Sequence, residues 1–300
     1  MTAKVILNPY SNRWKAKARW PEAEVALRAA GVEFELAVSE RPGHIIELAE
    51  QATRQGFSPI IAAGGDGTIG DAVNGLAHAA KQGELFGPLG IMPLGSANDL
   101  VNNLGLPINL NDAAKIIAAG KTRLMDLGFV NGSYFANNSA IGLEPYITLV
   151  QQRITWIKGM VRYLVAAVRG ILDNPQWTAK IEWDDGVFEG PVLLVTVGNG
   201  PRTGGVFYMA PHADPFDGKL TFVYGYRKTR GQIFQLLPLT MKPGKGSYVE
   251  KEGMFERQAT WVKIHIDGPA PAHVDGEIIS NGIQDLEYRV FPGKLRILLP

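Results

Sequence analysis

The sequence predicts a doubly wound α/β domain over residues 1–127, followed by an antiparallel β-sandwich domain over residues 128–300. In the first part, short apolar runs alternate with helical patterns, which is typical of a parallel sheet covered by helices. In the second part, short runs rich in Val, Ile, Tyr, Phe and Trp are separated by turn residues, which is typical of a sandwich. A chain of 300 residues is long for one compact core, so two domains are expected.

The composition is that of a globular protein, with 46% hydrophobic and 20% charged residues. Because the formal net charge is +1, attraction to nucleic acid would need a local patch, and no nucleic-acid partner is expected. The absence of cysteine excludes a disulfide framework, a thiolate metal site and a cysteine nucleophile. The sequence has no signal-peptide pattern and no uncharged apolar stretch of ~18 residues, so we expect a cytoplasmic protein that does not span a membrane.

The N-terminal elements place polar residues where strands end. We predict strands over residues 3–7 and 34–38, and helices over residues 15–30 and 44–55. Asn8 follows the first strand and Ser39 follows the second. Open α/β folds bind ligands at the carboxyl ends of their strands, so both residues are candidates for ligand contacts.

A glycine-rich turn follows the next strand. The apolar run that begins at Ile60 is typical of a buried parallel strand, and it ends in Gly64-Gly65-Asp66-Gly67-Thr68. Glycine allows positive φ and close approach of backbone N–H groups to a ligand, and such turns commonly bind phosphate. Asp66 would repel a phosphate unless a cation lay between them, which indicates a divalent ion. The alternative is a plain strand-to-helix turn, which explains the glycines but not Asp66 together with Thr68.

A second turn of the same kind follows. The helix predicted over residues 69–80 would begin at the glycines and direct the positive end of its dipole at the ligand. A strand over residues 88–93 then ends in Gly95-Ser96-Ala97-Asn98-Asp99. Three of these residues are also good helix caps, so this turn has a purely structural explanation as well. Its position in an alternating βα series places it at the same edge of the sheet as the first turn.

The second domain is predicted from its short strands. Asp184-Asp185-Gly186 is a hairpin signal between two of them. We expect the last strand of the chain to belong to the sandwich or to return to the first domain. Because Asp126 lies at the junction, we expect the two domains to enclose a cleft there. The predicted strands are residues 128–136, 180–183, 187–188, 192–197, 219–226, 260–266, 286–290 and 295–299.

One helix, predicted over residues 151–172, interrupts the β domain. Lys158, Arg162 and Arg169 fall within a narrow arc of the helical wheel, apolar residues fill much of the rest, and the segment contains no acid. Two interpretations of this cationic amphipathic helix are open. In the first, the helix packs on the sandwich and its basic face is solvated. In the second, the helix contacts the inner face of a membrane as a peripheral anchor.

Several motifs together resemble the diacylglycerol-kinase catalytic-domain family, in particular its soluble bacterial lipid kinases. The resemblance covers essentially the whole chain, in order. The first glycine turn alone is also similar to NAD kinases, but the second turn and the all-β second half favour lipid kinases. The motifs are Asn8-Pro9, the turns 64–68 and 95–99, Asp126, and Asp275-Gly276-Glu277.

The resemblance implies that ATP binds in the cleft with its phosphates on the first glycine turn. It also implies that Asp66 and Asp126 belong to the magnesium and phosphate network, and that Glu277 is the general base for the acceptor hydroxyl. Taken without the other motifs, Asp275-Gly276-Glu277 is a hairpin turn. The implied nucleotide-binding residues are Asn8, Ser39, Gly64, Gly65, Asp66, Gly67, Thr68, Ile69, Gly70, Asp71, Ser96 and Asn98.

The resemblance further implies a structural magnesium site in residues 214–220. The Asp217 carboxylate and the backbone carbonyls of Asp214 and Lys219 would be its protein ligands, since hard cations prefer oxygen. Taken alone, Asp-Gly before a strand is an ordinary turn. The sequence departs from the family at three points: Ser96 replaces threonine, Asn12 replaces glycine, and Gly70-Asp71 replaces Asn-Glu.

These observations predict an ATP- and magnesium-dependent lipid kinase that phosphorylates a hydroxyl of diacylglycerol or a similar amphiphile. The alternatives are a kinase of a soluble acceptor, similar to NAD kinases, and a non-catalytic nucleotide-binding regulator on the same fold. The identity of the acceptor is left open by the sequence. Edge strands of the β domain could support a homodimer.

Overall fold

The computed structural model describes residues 2–154, 156, 159–173 and 175–300. The helices are α1 (Lys15–Ala29), α2 (His44–Arg54), α3 (Asp66–Ala79), α4 (Asp99–Asn103), α5 (Leu110–Ala119), α6 (Leu143–Arg153), α7 (Gly159–Asp173) and α8 (Arg230–Leu236), with 3-10 turns at Leu237–Met241 and Tyr248–Glu250. The strands of the first half are β1 (Ala3–Leu7), β2 (Phe34–Val38), β3 (Ile60–Gly64), β4 (Phe86–Pro93) and β5 (Thr122–Val130). Those that follow are β6 (Ser133–Phe135), β7 (Asn138–Gly142), β8 (Trp177–Trp183), β9 (Gly186–Val192), β10 (Leu194–Gly198), β11 (Arg202–Thr203), β12 (Phe207–Tyr208), β13 (Leu220–Gly225), β14 (Met254–Ala259), β15 (Trp261–Val274) and β16 (Glu277–Leu298).

The N-terminal half is a parallel sheet with helices on both faces, as the sequence predicts. Its strands pair in the order β4-β3-β1-β2. Ile60 and Ala62 of β3 pack with α2 and α3, whereas Ile61 and Ala63 pack against α1 and α5 on the other face. Because both faces are covered, the strand is apolar throughout rather than alternating.

The C-terminal half is an antiparallel sandwich, which confirms the predicted fold class. One layer contains β14, β13, β10 and β7, and the other contains β9, β8, β5 and β6. The long strands β15 and β16 run through both layers, so Ile264 pairs with Ile181 of β8, whereas His273 pairs with Ala140 of β7. Apolar side chains from both layers fill the space between them.

The last strand is longer than predicted. The sequence predicts residues 286–290 and 295–299 as two separate strands, but β16 is continuous from Glu277 to Leu298. A register shift between Phe291 and Leu295 accommodates the proline and glycine. Beyond this point β16 pairs in parallel with β4 and antiparallel with β5, which joins the α/β sheet to the sandwich.

The prediction of one helix over residues 151–172 is wrong. Helix α6 ends at Arg153, because Ile154 is extended (φ −88°, ψ 102°), and α7 begins at Gly159. The Arg162 guanidinium turns back to donate a hydrogen bond to the Gln151 carbonyl (2.7 Å). Arg169 pairs with Asp173 one turn later (3.2 Å), so these two arginines do not form a free basic face, and Lys158 lies outside the described residues.

The solvent face of α7 carries apolar side chains as well. Ala166, Ala167 and Ile171 are buried against the β domain, while an exposed stripe at helical spacing consists of Val161, Val165, Val168 and Leu172. Across the described residues, no helix combines the length and the apolar character needed to cross a bilayer.

Candidate active site

The two glycine-rich turns lie against each other at the carboxyl edge of the parallel sheet. The Leu94 N–H donates to the Gly64 carbonyl (2.9 Å), which ties the end of β4 to the end of β3. A Cβ on Gly95 would lie 2.4 Å from the Cα of Gly65, closer than any side chain can approach a backbone. Glycine is therefore required here because the backbones of the two turns are in contact.

Thr68 links the first glycine turn to the loop after β1. Helix α3 begins at Asp66, three residues earlier than predicted, so Asp66, Gly67 and Thr68 form its first turn. The Asn8 Nδ2 donates to the Thr68 Oγ1 (3.1 Å), and the Ser11 hydroxyl lies 3.1 Å from the same oxygen. Asn8 thus fixes the first loop beside the glycine turn, as its place after β1 suggested. Ser11, in the same polar loop, was not among the predicted contacts.

Asp66 and Asp99 form a pair of acidic side chains at the second turn. The Asp66 Oδ1 accepts a hydrogen bond from the Leu100 N–H (2.9 Å). Asp99, only 4% exposed, accepts from the Gly205 N–H (2.9 Å) and lies 3.4 Å from the Arg202 Nε. Burial, and then the negative charge of Asp66, raise the pKa of Asp99 to about 7. This pair of carboxylates suits a cation, and the sequence assigned Asp99 only a capping role and Arg202 none.

The Asp275-Gly276 turn brings Glu277 to the first turn of α3. The turn is a two-residue hairpin connection between β15 and β16, with φ of 46° and 84° at its two residues. A Cβ on Gly67 would lie 2.9 Å from the Glu277 Oε1, and one on Gly70 would lie 3.0 Å from the Asp275 Oδ2. The motif is therefore a hairpin turn, and this turn holds the Glu277 carboxylate beside Gly67. The role of Glu277 as general base stays a prediction.

Two acids near this hairpin have raised pKa values. Burial, and then the charge of Glu277, raise the pKa of Asp71 to about 6. Asp275 accepts hydrogen bonds from the backbone N–H groups of Ala136, Asn137 and Asn138. Burial nevertheless raises its pKa to about 6, against the effect of those three donors. Gly70 leaves the space that the Asp275 carboxylate fills, since it carries no Cβ toward that carboxylate.

Asp126 belongs to a different group of residues. It is buried, and its carboxylate accepts hydrogen bonds from the Gly218 N–H (2.7 Å) and the Gly293 N–H (2.6 Å). Its own N–H donates to the Pro215 carbonyl (2.8 Å). Asp126 therefore holds the loop that contains Asp214, Asp217 and Lys219, and it is not among the residues that line the cleft described below.

The loop of residues 214–219 is closed by its own hydrogen bonds. Asp214 accepts from the Phe216 N–H (3.0 Å), and Asp217 accepts from the Lys219 N–H (2.9 Å) and from the Gln258 amide (2.9 Å). Burial, and then the charges of Asp214 and Asp126, raise the pKa of Asp217. Within the described residues, no group of at least three His, Cys, Asp or Glu side chains is arranged to hold a metal.

The other residues predicted to contact the nucleotide differ in their hydrogen bonds and in their exposure. The Ser39 hydroxyl, at the end of β2, donates to the Arg41 carbonyl (3.3 Å). Ile69 is buried in the core, and its N–H donates to the Gly65 carbonyl (3.1 Å). The Asn98 amide donates to the Gly95 carbonyl (3.2 Å), and its buried Oδ1 has no hydrogen-bond partner among the described residues. Ser96 is exposed in the cleft.

A cleft of about 910 Å³ separates the two domains. The α/β domain contributes polar side chains of both signs, including Asp66, Ser96, Asp99 and Lys15. The β domain contributes Asn137, Asn138, Glu144, Arg202, His273 and Asp275. The cleft is thus lined by apolar as well as polar surface, and both domains contribute hydrogen-bond donors, acceptors and charged groups to it.

A smaller apolar cavity of about 60 Å³ adjoins this cleft inside the β domain. Glu144 and Tyr163 line both spaces, so the two share a wall. The other lining residues are mostly aliphatic or aromatic, and they come from α6, α7, α8, the short strand β12 and the sandwich, as with Ile147, Ile171, Ile233, Phe207 and Leu194. Nothing in the sequence indicated this cavity, because its walls come from segments far apart in the chain.

Two family models match the chain, and together they span most of it. The diacylglycerol kinase catalytic domain matches residues 2–130, and the YegS C-terminal NAD kinase beta sandwich-like domain matches residues 138–299. A diacylglycerol kinase of Staphylococcus haemolyticus (strain JCSC1435) is 29% identical over 279 residues, which cover 92% of this chain and 82% of the relative. A diacylglycerol kinase of Staphylococcus aureus (strain MRSA252) is 28% identical over 278 residues, covering 92% and 85%.

A solved structure shares the fold over the whole chain. The crystal structure of a diacylglycerol kinase from Bacillus anthracis str. Sterne superposes with a TM-score of 0.79 at 23% sequence identity, covering 100% of this chain and 97% of that chain. The resemblance inferred from the motifs is confirmed by the two family models. The chain belongs to the diacylglycerol kinase catalytic-domain family of kinases, in the form that carries the YegS C-terminal domain.

Proposed function

We propose that the protein transfers the γ-phosphate of ATP, in the presence of magnesium, to a hydroxyl of diacylglycerol or a similar amphiphilic lipid. One observation carries this proposal: the cleft that we assign to the nucleotide shares the wall of Glu144 and Tyr163 with an apolar cavity, which has room for a short hydrocarbon segment of an amphiphile. A wholly polar acceptor would leave the aliphatic and aromatic lining of this cavity without a contact.

The nucleotide phosphates bind at the contact between the two glycine turns. Helix α3 begins there at Asp66, so its first N–H groups and the positive end of its dipole are directed at the edge of the cleft. Asn8 and Thr68 hold the loop after β1 against this turn. Ser96, exposed in the cleft, supplies a hydroxyl on the other side.

Magnesium fits beside Asp66 and Asp99. Both carboxylates line the cleft, and the raised pKa of Asp99 reflects burial and unrelieved repulsion from Asp66. A bound divalent cation would neutralise the phosphate oxygens and relieve that repulsion. Asp126 contributes to this network through the loop it holds, which fixes where β16 re-enters the α/β sheet at Gly293.

The loop of residues 214–219 fits a second, structural magnesium ion. Its donors are oxygens, and burial, followed by repulsion from Asp214 and Asp126, raises the pKa of Asp217. The Asp217 carboxylate with the carbonyls of Asp214 and Lys219 would hold the ion. Its role is to stiffen the loop rather than to take part in transfer.

Glu277 accepts the proton in the transfer step. The acceptor oxygen attacks the γ-phosphorus, the bond to the β–γ bridging oxygen breaks, and the hydroxyl proton passes to the Glu277 carboxylate. The products are ADP and the phosphorylated lipid. The exposed position of Glu277 against Gly67, in the first turn of α3, supports this role.

The test of the proposed function is a lipid panel. The purified protein is incubated with ATP radiolabelled in the γ-phosphate, and with diacylglycerol, monoacylglycerol, phosphatidylglycerol, a ceramide, a sphingoid base or a polyprenol in detergent micelles, and the products are separated by thin-layer chromatography. We expect label in an organic-soluble phospholipid only when magnesium is present. Transfer to NAD or a sugar alcohol but to no lipid would favour the soluble-acceptor kinase. Absence of any transfer, with ATP binding intact, would favour the regulator.

We further propose that α7 contacts the membrane that supplies the lipid. Its exposed face carries the stripe Val161, Val165, Val168 and Leu172, and Trp156, 80% exposed, precedes it. Its buried face includes Ile171, which lines the apolar cavity. Helix α7 therefore has apolar side chains on both its exposed and its buried face. Such a helix suits a position between the membrane and a lipid-binding site.

Vesicle co-sedimentation tests this contact. Val165→Glu combined with Val168→Glu should reduce binding to phosphatidylglycerol vesicles by at least about tenfold, since each charge would have to leave water for the interface. The control is Val187→Glu, which changes a more exposed valine of β9, elsewhere on the β domain. Equal binding of both variants would assign the stripe to ordinary surface.

A further inference from the structure

A short hairpin of the β domain reaches the second glycine turn. The hairpin consists of β11, β12 and the turn between them, and the Gly205 N–H in that turn donates to the Asp99 carboxylate (2.9 Å). A Cβ on Gly205 would lie 3.8 Å from the Cα of Ala97, so the end of the hairpin lies in contact with the second glycine turn. The hairpin therefore joins the two sides of the cleft beside Asp66 and Asp99.

Arg202 is the first residue of this hairpin, and its backbone is held from both sides. The Arg202 carbonyl accepts a hydrogen bond from the Asn137 amide (2.8 Å) and a longer one from the Asn103 amide (3.4 Å). Asn103 ends α4 in the α/β domain, whereas Asn137 belongs to the β domain. The Arg202 side chain, which lines the cleft, therefore extends from a fixed point.

The Arg202 guanidinium has hydrogen-bond donors that the protein does not use. The side chain is only 21% exposed, and its Nε lies 3.4 Å from the Asp99 Oδ1. Among the described residues the guanidinium donates no hydrogen bond, and the buried Nε is left without a partner. Burying donors unpaired costs free energy. Unused donors on the wall of a binding cleft therefore point to an acceptor on the ligand.

The alternative is that Arg202 only neutralises Asp99. An arginine that serves a carboxylate in this way commonly donates two parallel hydrogen bonds to it, and Arg202 donates none to Asp99. The Asp99 carboxylate accepts from the Gly205 N–H instead. In the proposed magnesium-bound site, Asp99 would also give its charge to the metal, and Arg202 would then need a different anion.

Arg202 lies on the side of the cleft from which the lipid is proposed to enter. The α/β domain contributes Arg13 and Lys15 to the cleft, whereas Arg202 is the only Lys or Arg of the β domain among the described residues that line it. The transferred phosphate has to lie between the bound nucleotide and the lipid. A cation of the β domain beside Asp66 and Asp99 is therefore suited to the γ-phosphate rather than to the other two.

We infer that Arg202 binds the γ-phosphate of ATP and so gives the site a preference for ATP over ADP. The inference rests on the proposed use of ATP, and Arg202 lies outside the motifs from which the phosphate site was recognised. Its planar guanidinium can donate to two phosphate oxygens at once. In the transfer step it forms no covalent bond and gives up no proton. It offsets negative charge on the phosphoryl group while the bond to ADP breaks.

Calorimetric titrations with ADP and with a non-hydrolysable ATP analogue, both in magnesium, test the inference. The wild-type protein should bind the analogue more tightly than ADP. In Arg202→Gln the ratio of the two Kd values should fall by about tenfold or more, while the Kd for ADP stays within about twofold of wild type. Arg202→Lys keeps the charge beside Asp99 but loses the planar fork, so its ratio should lie between those of Arg202→Gln and wild type. This second variant decides the matter if loss of the charge prevents folding.

The control is Arg54→Gln. Arg54 is an exposed arginine of α2 that pairs with Glu50 at 2.8 Å, so its loss should leave both Kd values unchanged. A wild-type ratio in either Arg202 variant overturns the inference. Equal weakening of ADP and analogue binding overturns it as well, because Arg202 would then act on the shape of the site and not on the γ-phosphate.

The proposed function and the inference fail in different ways. If the wild-type protein binds neither nucleotide, both are overturned. Lipid phosphorylation by a wild-type protein that binds ADP and the analogue equally tightly would overturn the inference alone. Transfer only to a soluble acceptor, with the preference lost in Arg202→Gln, would overturn the proposed acceptor and support the role of Arg202.

Discussion

Glu277→Gln is expected to lower phosphoryl transfer by about 10²- to 10⁴-fold while leaving ATP affinity within about threefold of wild type. The amide keeps the size of the side chain but cannot accept the proton of the attacking hydroxyl. Glu277 is exposed and follows the Asp275-Gly276 turn, so its substitution should leave the hairpin and the fold intact. Initial rates with saturating lipid, together with calorimetric titration of ATP, measure the two quantities separately.

The control for this prediction is Glu287→Gln. Glu287 lies on the same strand, is exposed, and pairs with Lys263 at 3.3 Å, so its loss should have a small effect on either quantity. Turnover by Glu277→Gln at the wild-type rate would remove Glu277 as the base. A parallel fall in ATP affinity would instead indicate that Glu277 acts on the nucleotide.

Asp66→Asn should raise the Kd for magnesium-bound ATP by about 10- to 100-fold and should leave binding of metal-free ATP unchanged or tighter. The substitution keeps an oxygen that can accept from the Leu100 N–H, so the start of α4 should be preserved. It removes the negative charge that attracts the metal and, without the metal, repels the phosphates. The measurement is a calorimetric titration with ATP in magnesium and again in a chelator.

Asp112→Asn is the matched control, since Asp112 is an exposed acid of α5 that pairs with Lys115. It should bind both forms of ATP as the wild type does. Equal Kd values for magnesium-bound ATP in Asp66→Asn and wild type would contradict the metal role of Asp66. If Asp66→Asn instead binds metal-free ATP more weakly than the wild type, Asp66 has a structural role in the glycine turn rather than an electrostatic one.

The elements of the α/β half were accessible from the sequence because each carries its own signal. The apolar run of β3 is covered on both faces, and the glycines at 64, 65 and 95 are required by contacts that a Cβ would make. The helix of residues 151–172 was predicted wrongly for a local reason. Its apolar periodicity continues across Ile154, where the backbone turns away from the helix, and the acid that pairs with Arg169 comes just after it, at Asp173.

The candidate site was only partly accessible. Asp66 and Glu277 stand in short motifs, so their residue types alone drew attention, and the structure brings both to the first turn of α3. Asp126 also stood out in the sequence, but its carboxylate accepts hydrogen bonds from the backbone N–H groups of Gly218 and Gly293. Arg202, Glu144 and His273 gave no signal, because each acquires its partner only when distant strands and helices meet.

The sequence by itself determined the two fold classes, the glycine turns and the acids that accompany them, because backbone sterics and hydrophobic periodicity act over a few neighbouring residues. Tertiary structure alone decided which polar groups face one another. The pairing of β15 with β7, the packing of α6 on that sheet and the return of β16 to β4 bring residues more than 100 positions apart into contact. The cleft, the apolar cavity and the buried Glu144–His273 pair exist only through those long-range contacts.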